Sequence, residues 1–141
     1  MPWCIRLTAY LWPLPYTLIG IACGLLLGGR FQCVNGVIEI HGHSIAGVLK
    51  RFPAPAAAIT LGHVVLGRNE NMLQVTRRHE RVHVGQYERW GLAFIPTYLL
   101  VSVSLYFLGR DGYRDNPFER AAYAVDEAAW PKVSGLQERP E

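Results

Sequence analysis

His79, Glu80 and His83 are the residues whose types and spacing most clearly point to chemistry in this chain. Residues four apart on a helix share a face, so the imidazoles of His79 and His83 can reach one metal ion. The carboxylate of Glu80 then lies beside that ion and stays free to take a proton from water. Two histidine ligands with an adjacent glutamate are what hydrolysis by a zinc-activated water requires.

The segment around this H-E-x-x-H motif is expected to be a helix from about Met72 to Trp90. Asn71, with Gln74 three residues later, resembles a capping box, and Asn69 is the alternative cap. A helical repeat places both histidines on one apolar face, directed toward the protein interior. The residues of that face are Val75, His79, Val82, His83, Gln86 and Trp90.

A third metal ligand is needed, and Glu119 is the best candidate. It lies near the start of an expected helix from Phe118 to about Trp130, in which Asn116 is the cap and Pro117 the first residue. An acidic residue is also favoured at a helix start by the helix dipole, which is the alternative interpretation of Glu119. Glu119 shares a face with Tyr123 and Asp126.

Two further side chains on the Glu119 helix have expected roles. Asp126 is a candidate acceptor that orients a ligating imidazole, with an exposed carboxylate as the alternative. Tyr123 is a candidate donor to a developing oxyanion, and Tyr113 and His63 are weaker candidates for the same role. His41 and His43 form a second histidine pair without an evident third partner, so a structural or surface role is favoured.

Two long apolar runs indicate contact with a membrane. Residues 7–29 contain no charge and are long enough to span the hydrocarbon core as a helix, whose regular part is expected to begin near Tyr16, after Pro13 and Pro15. A cleaved signal peptide is the rival interpretation. The second run, residues 90–109, is a second span, a buried core helix or a re-entrant hairpin.

The overall composition supports a membrane partner and disfavours nucleic acid. The 141 residues are 50% hydrophobic, and the net charge is +3. No basic stripe interleaved with aromatic residues is present, so a nucleic-acid partner is not expected. Arg30 to Arg89 holds eight lysines and arginines while one arginine precedes the first run, which favours the cytoplasmic side for the motif. The three cysteines, Cys4, Cys23 and Cys33, predict neither a disulfide framework nor a cysteine zinc site.

The chain between the apolar run and the motif predicts a small sheet. Asn35-Gly36 between two β-prone runs is a strong hairpin signal. Residues 42–52 have mixed strand and helix character. Residues 58–66 are expected to form one strand with a glycine interruption.

The motif and its flanks resemble the gluzincin class of zinc metallopeptidases, in which H-E-x-x-H is completed by a glutamate on a later helix. The matching residues are His79, Glu80, His83 and Glu119. The chain is also similar to small bacterial proteins with H-E-x-x-H-x-x-Q, here His79 to Gln86, preceded by a Thr-x-Gly strand. The resemblance covers residues 58–126. It implies zinc, peptide hydrolysis, and an edge strand that pairs with extended substrate through Thr60, Leu61, Gly62 and His63.

Two departures from this pattern weigh against proteolysis more than against zinc binding. Arg81 occupies a motif position that is usually uncharged. Tyr123 stands four residues after Glu119, where the gluzincin class often has aspartate.

The expected fold is α+β and mainly helical: a minimal zincin-like domain of residues 31–131, preceded by a membrane-associated helix (1–30) and followed by a flexible tail (132–141). The expected function is zinc-dependent peptide hydrolysis with Glu80 as general base, in a bacterial inner membrane. The alternatives are a non-catalytic, membrane-anchored zinc-binding or interaction protein, and a membrane protein whose histidines face solvent. One constraint is built in: if the second run crossed a bilayer, Glu119 would lie about 25–30 Å from His83 and could not share its metal.

Overall fold

The computed structural model describes residues 3–52 and 56–129 of the chain. Its helices are α1 (Trp3–Leu11), α2 (Leu14–Leu26), α3 (His43–Lys50), α4 (Glu70–Trp90), α5 (Phe94–Phe107) and α6 (Pro117–Ala129). Its strands are β1 (Arg30–Val34), β2 (Val37–His41), β3 (Ala58–Leu61) and β4 (Val64–Gly67). The fold is therefore α+β and mainly helical, as expected. The expected tail, residues 132–141, and the helix end at Trp130 lie outside the described residues.

The four strands form one mixed sheet in the order β1-β2-β4-β3. The β1–β2 hairpin turns at Asn35 (φ 49°) and Gly36 (φ 80°), which is the pair of positive φ angles that the Asn-Gly signal predicts. β2 and β4 are parallel, while the two outer pairings are antiparallel. Since β1 and β3 are the outermost strands, each has one unpaired edge.

Residues 58–67 form a second hairpin and not the single strand that was expected. Gly62 adopts φ 62°, a left-handed conformation that favours glycine, and the chain reverses there between β3 and β4. The glycine interruption is therefore a turn. Of these two strands, β3 is an outer strand of the sheet, and β4 is paired on both sides.

Helices cover both faces of the sheet. Val37, Ala58 and Val65 pack against Leu73 and Val84 of α4. On the opposite face, side chains of the strands pack against α2 and α3; this second core comprises Ile40, Ile45, Leu49, Val64 and Leu66. The region 42–52, whose sequence has both strand and helix character, contains the helix α3. This helix buries Ile45 and Leu49 in that core.

The N-terminal apolar run is two helices, not one helix starting near Tyr16. The chain breaks at Trp12 and Pro13, and Pro15 lies in the first turn of α2, where its missing N–H is tolerated. α2 packs on the sheet through Gly20 and Gly24; a Cβ atom at Gly20 would lie 2.8 Å from Cβ of Val64. The outward side of the same helix remains apolar and exposed.

α4 lies between the sheet and α6, and it begins earlier than expected. Asn69 is the cap, because its Oδ1 accepts from the backbone N–H of Met72 at 2.8 Å, so the prediction of Asn71 was wrong and the alternative is confirmed. The predicted buried face was also partly wrong. Val75 is 67% exposed and Trp90 is 43% exposed, whereas Leu73, Glu80, Val84 and Tyr87 are buried with the two histidines.

The chain folds back after the second apolar run. After α5 the chain turns at Gly109 and returns, so that Asn116 Nδ2 donates to the carbonyl of Tyr98 and to Oγ of Ser102. Residues 70–107 form a helical stretch that is long and apolar enough to cross a membrane, judged by length and composition alone. Within the most apolar part of this stretch, 17% of the residues are buried. α5 within this run is one continuous helix, and the chain returns along it only after the run has ended.

Candidate metal centre

His79 and His83 lie one turn apart on α4 and face α6. Both side chains are buried, and their rings meet edge to face with centroids 5.0 Å apart. Glu119 enters from the first turn of α6, where Asn116 Oδ1 accepts from the backbone N–H of Phe118 at 3.0 Å. The predicted cap and first residue of this helix are therefore confirmed. Because Asn116 and Pro117 fix where α6 begins, they also determine the direction in which Glu119 points into the core.

Three potential ligand atoms meet at this place. His79 Nε2 and His83 Nε2 are 3.3 Å apart. Glu119 Oε2 lies 3.3 Å from the first and 3.5 Å from the second. Among the described residues, this is the group of histidine, cysteine and acidic side chains that could hold a metal ion.

When both imidazoles are neutral, their Nδ1 atoms carry the protons and both Nε2 atoms are acceptors. His79 Nδ1 is 3.0 Å from Asp126 Oδ2, and His83 Nδ1 is 2.9 Å from Gln86 Oε1. Gln86 donates from Nε2 to the carbonyl of Phe118, so its Oε1 is the acceptor side. A carboxylate and an amide oxygen accept but do not donate, so each Nδ1 must donate to them.

The Glu119 carboxylate is held in one orientation by a tyrosine. Tyr98 Oη donates to Oε1 at 2.7 Å, while the buried Oε2 has no hydrogen-bond partner. Three acceptor atoms with no donor among them repel each other inside a protein. A cation at their centre removes that cost.

Without a cation, protons compete for the same atoms. Burial acts to lower the pKa of His79 and of His83, but the adjacent carboxylate of Glu119, together with that of Glu80, outweighs burial and raises both pKa values. Burial acts to raise the pKa of Glu119, but the two protonated imidazoles outweigh it and lower that pKa to about 2. The same atoms could therefore hold either protons or a metal ion.

Glu80 points toward the sheet, next to the centre. Its Oε2 accepts from Thr60 Oγ1 at 2.6 Å. Burial raises its pKa, and the charges of His83 and His79 together with the Thr60 hydrogen bond only partly oppose this. Glu80 therefore holds a proton more readily than an exposed glutamate does.

Tyr123 packs against the centre from α6. Its ring meets that of His79 edge to face at a centroid distance of 4.7 Å. Its hydroxyl donates to Tyr113 Oη at 3.3 Å, and both tyrosines are partly exposed. Tyr123 and Tyr113 thus form the outer side of the centre, with Tyr123 nearer to it.

The four residues of the expected substrate strand are separated by the β3–β4 turn. Thr60 and Leu61 end the outer strand β3, while Gly62 and His63 form the turn. Thr60 already hydrogen-bonds through both groups, since its carbonyl accepts from Tyr87 Oη at 3.1 Å. His63 lies away from the metal centre, stacked on Tyr10 at 4.2 Å and 2.9 Å from Glu88.

Arg81, the unusual residue inside the motif, points away from the centre. Its guanidinium donates to the carbonyls of Val34 and Asn35 in the β1–β2 turn. It therefore attaches α4 to the hairpin and takes no direct part in the group formed by His79, His83 and Glu119.

Sequence reasoning missed the importance of Tyr98, and it noticed Gln86 only as part of a pattern. Tyr98 lies within an apolar run of the sequence. Its hydroxyl, a polar group in that run, was the feature that could have indicated a hydrogen-bonding role. His41 and His43, at the end of β2 and the start of α3, do not belong to the group that could hold a metal ion.

Comparisons with known proteins found no match among protein-family models, among curated proteins or among solved structures.

Proposed function

We propose that this chain is a small, membrane-associated zinc metallopeptidase. The observation that carries the proposal is the triangle of His79 Nε2, His83 Nε2 and Glu119 Oε2, beside the carboxylate of Glu80. A peptide or protein is the proposed substrate.

The donor set and its spacing fit zinc. Two imidazole nitrogens and one carboxylate are a ligand set of catalytic zinc sites, which keep a fourth position open for water. Ligands at about 2.0–2.1 Å in tetrahedral geometry are separated by roughly 3.3–3.4 Å. The three distances of 3.3, 3.3 and 3.5 Å agree with that separation.

The proposed chemistry divides between the metal and Glu80. Zinc, when bound, supplies a Lewis acid that polarises a carbonyl and lowers the pKa of a water molecule. Glu80 accepts the proton of that water and passes it to the leaving amine. Its raised pKa suits both transfers, and the hydrogen bond from Thr60 holds its carboxylate in one orientation.

Two further contacts belong to the proposal. Tyr123, which touches His79 and is partly exposed, is the proposed donor to the developing oxyanion. The unpaired edge of β3 is the proposed strand along which an extended substrate binds.

A second candidate function is favoured by burial. His79, Glu80, His83 and Glu119 are each 8% exposed or less. A metal enclosed in this way joins α4 to α6 as a structural site does, with zinc binding and no hydrolysis. The two candidates share the ligands and differ in the role of Glu80.

Glu80→Gln distinguishes the two candidates, with Glu127→Gln on the exposed side of α6 as a matched control. Purified protein is assayed for bound metal and for cleavage of a fluorogenic peptide library. The proposal predicts that the Glu80 variant keeps its zinc and loses cleavage by about 100-fold or more, because glutamine cannot accept the proton. The control retains both properties.

Three other results have definite meanings. Zinc in the parent protein without cleavage of any peptide supports the structural candidate. Cleavage by Glu80→Gln at the parental rate contradicts the mechanism. A parent protein that binds no zinc overturns both candidates.

Membrane lipid is the proposed partner of the outer apolar surface, with the centre on the cytoplasmic side of a bacterial inner membrane. The supporting observation is the outward exposure of apolar side chains on α1, α2 and α5. Trp12 and Tyr16 connect these helices: Trp12 packs at Gly91, and Tyr16 Oη donates to the carbonyl of Leu92.

A further inference from the structure

A shallow groove lies along α4 between the β1–β2 turn and α6, and it bears three arginines. Its volume is about 440 Å³. Arg77, Arg78 and Arg81 line it together with Asn35 of the β1–β2 turn. Val82 of α4 and Val125 of α6 form its apolar part, so the groove is separate from the side of α4 that holds the metal ligands.

Most hydrogen-bond donors of these arginines remain available. A guanidinium has five N–H donors. Arg77 uses Nε and Nη2 on Glu39, and Arg81 donates to two carbonyls of the hairpin turn. Arg78 is exposed, and no hydrogen bond or ion pair joins its side chain to another described residue.

Among the described residues, one carboxylate is in contact with the group of three arginines in the groove, so the groove carries net positive charge. Glu39 is the acidic group that contacts this cluster, at 2.8 Å from Arg77 and 3.9 Å from Arg81. Arg77 and Arg81 are anchored, so their remaining donors keep a constant direction.

We propose that this groove is an anion site that binds a phosphate group, either as free phosphate or as the phosphodiester of a lipid headgroup. Arginine binds phosphate through paired N–H donors, and a phosphate offers enough oxygens for several guanidinium groups at once. Val82 and Val125 are placed to contact the carbon side of an ester. The site does not depend on the metal or on peptide hydrolysis.

Arg78→Gln tests the site, and Arg89→Gln is the matched control. Arg78 can be changed without breaking the contacts of Arg77 and Arg81, and Arg89 is an exposed arginine on the same helix outside the groove lining. One arm measures binding of inorganic phosphate to the full chain at low salt. The other compares binding to phosphatidylglycerol vesicles with binding to phosphatidylcholine vesicles.

The Arg78 variant is expected to bind the phosphate group about five- to tenfold more weakly, and the Arg89 variant as well as the parent. Weakening in the phosphate arm assigns free phosphate, and weakening in the vesicle arm alone assigns the lipid phosphodiester. Equal weakening by both variants would show a general effect of charge and overturn the site. Absence of parental binding in both arms overturns it as well.

Discussion

The candidate metal centre depends on side chains that touch the candidate ligands and not only on the ligands. Tyr98, Gln86 and Asp126 each hydrogen-bond one member of the triangle from outside. Through these contacts both imidazoles present Nε2 and the carboxylate presents Oε2 to the same point. Such outer contacts commonly contribute tenfold or more to metal affinity.

Tyr98→Phe is predicted to weaken zinc binding by about tenfold, because the Glu119 carboxylate loses the hydrogen bond that orients it. The measurement is a competition titration against a chromophoric chelator. Tyr106→Phe is the control, since Tyr106 lies on the same helix and is 73% exposed. Equal affinities of parent and Tyr98→Phe would show that the helix positions alone orient Glu119.

At the scale of elements, α4 joins the sheet to α6. On the sheet side, Arg77 donates two hydrogen bonds to Glu39, whose side chain is 2% exposed in β2. Gln32 of β1 also donates to this carboxylate at 3.0 Å. These contacts determine how α4 lies on the sheet, and thereby how His79 and His83 face α6.

The Glu39 pair predicts a pH dependence of stability. Burial acts to raise the pKa of Glu39, but hydrogen bonds and the charge of Arg77 outweigh it, so the pKa in the folded protein lies below its usual 4.5. A lowered pKa stabilises the fold above the unfolded value, and this contribution is lost as the pH falls through the folded value. The free energy of unfolding of the parent protein should therefore fall as the pH drops below about 4.5.

Glu39→Gln should lower the free energy of unfolding at pH 7 by about 1–2 kcal/mol and flatten its acid dependence. The value is modest because the Arg77 side chain is 32% exposed and can return to solvent. Urea unfolding between pH 3 and pH 7 measures both effects, with Glu70→Gln as an exposed control on α4. An unchanged acid slope in Glu39→Gln would contradict this assignment.

At the scale of the whole molecule, one side of the structure is apolar and uncovered. On α5, Leu100 is 68% and Phe107 is 81% exposed, and on α2 Leu26 is 86% exposed. The proximity of Glu119 to both histidines requires α5 to return to the side from which it came. A simple second span is therefore incompatible with the observed group of His79, His83 and Glu119.

The double variant Leu100→Glu and Phe107→Glu is predicted to bind phosphatidylcholine vesicles at least tenfold more weakly, because two apolar side chains can no longer enter the bilayer. Vesicle flotation measures this, and the three arginines of the groove are the same in the parent and in both variants. Val75→Glu, an exposed change on α4, serves as the control. Equal flotation of all three proteins would rule out α5 as the contact.

The sequence by itself determined the local features of this protein. Asn35-Gly36 requires a tight turn, Asn116-Pro117 begins a helix, and the spacing of His79 and His83 aligns two imidazoles, since each depends on neighbouring residues alone. The motif was therefore recognisable, and Glu119 could be proposed as the third ligand. The class of fold, helical with a small sheet, also followed.

Only the tertiary structure decided which side chains are buried and which distant residues come into contact. It divided the region 58–67 into a hairpin, turned α4 so that Val75 is exposed and Glu80 is buried, and brought Tyr98 to Glu119 across 21 residues. Periodicity shows that a helix has an apolar face, but the packing of two layers against α4 determines which residues are buried. The triangle of ligand atoms exists because the chain returns along α5 after that helix ends, which depends on contacts between residues distant in sequence.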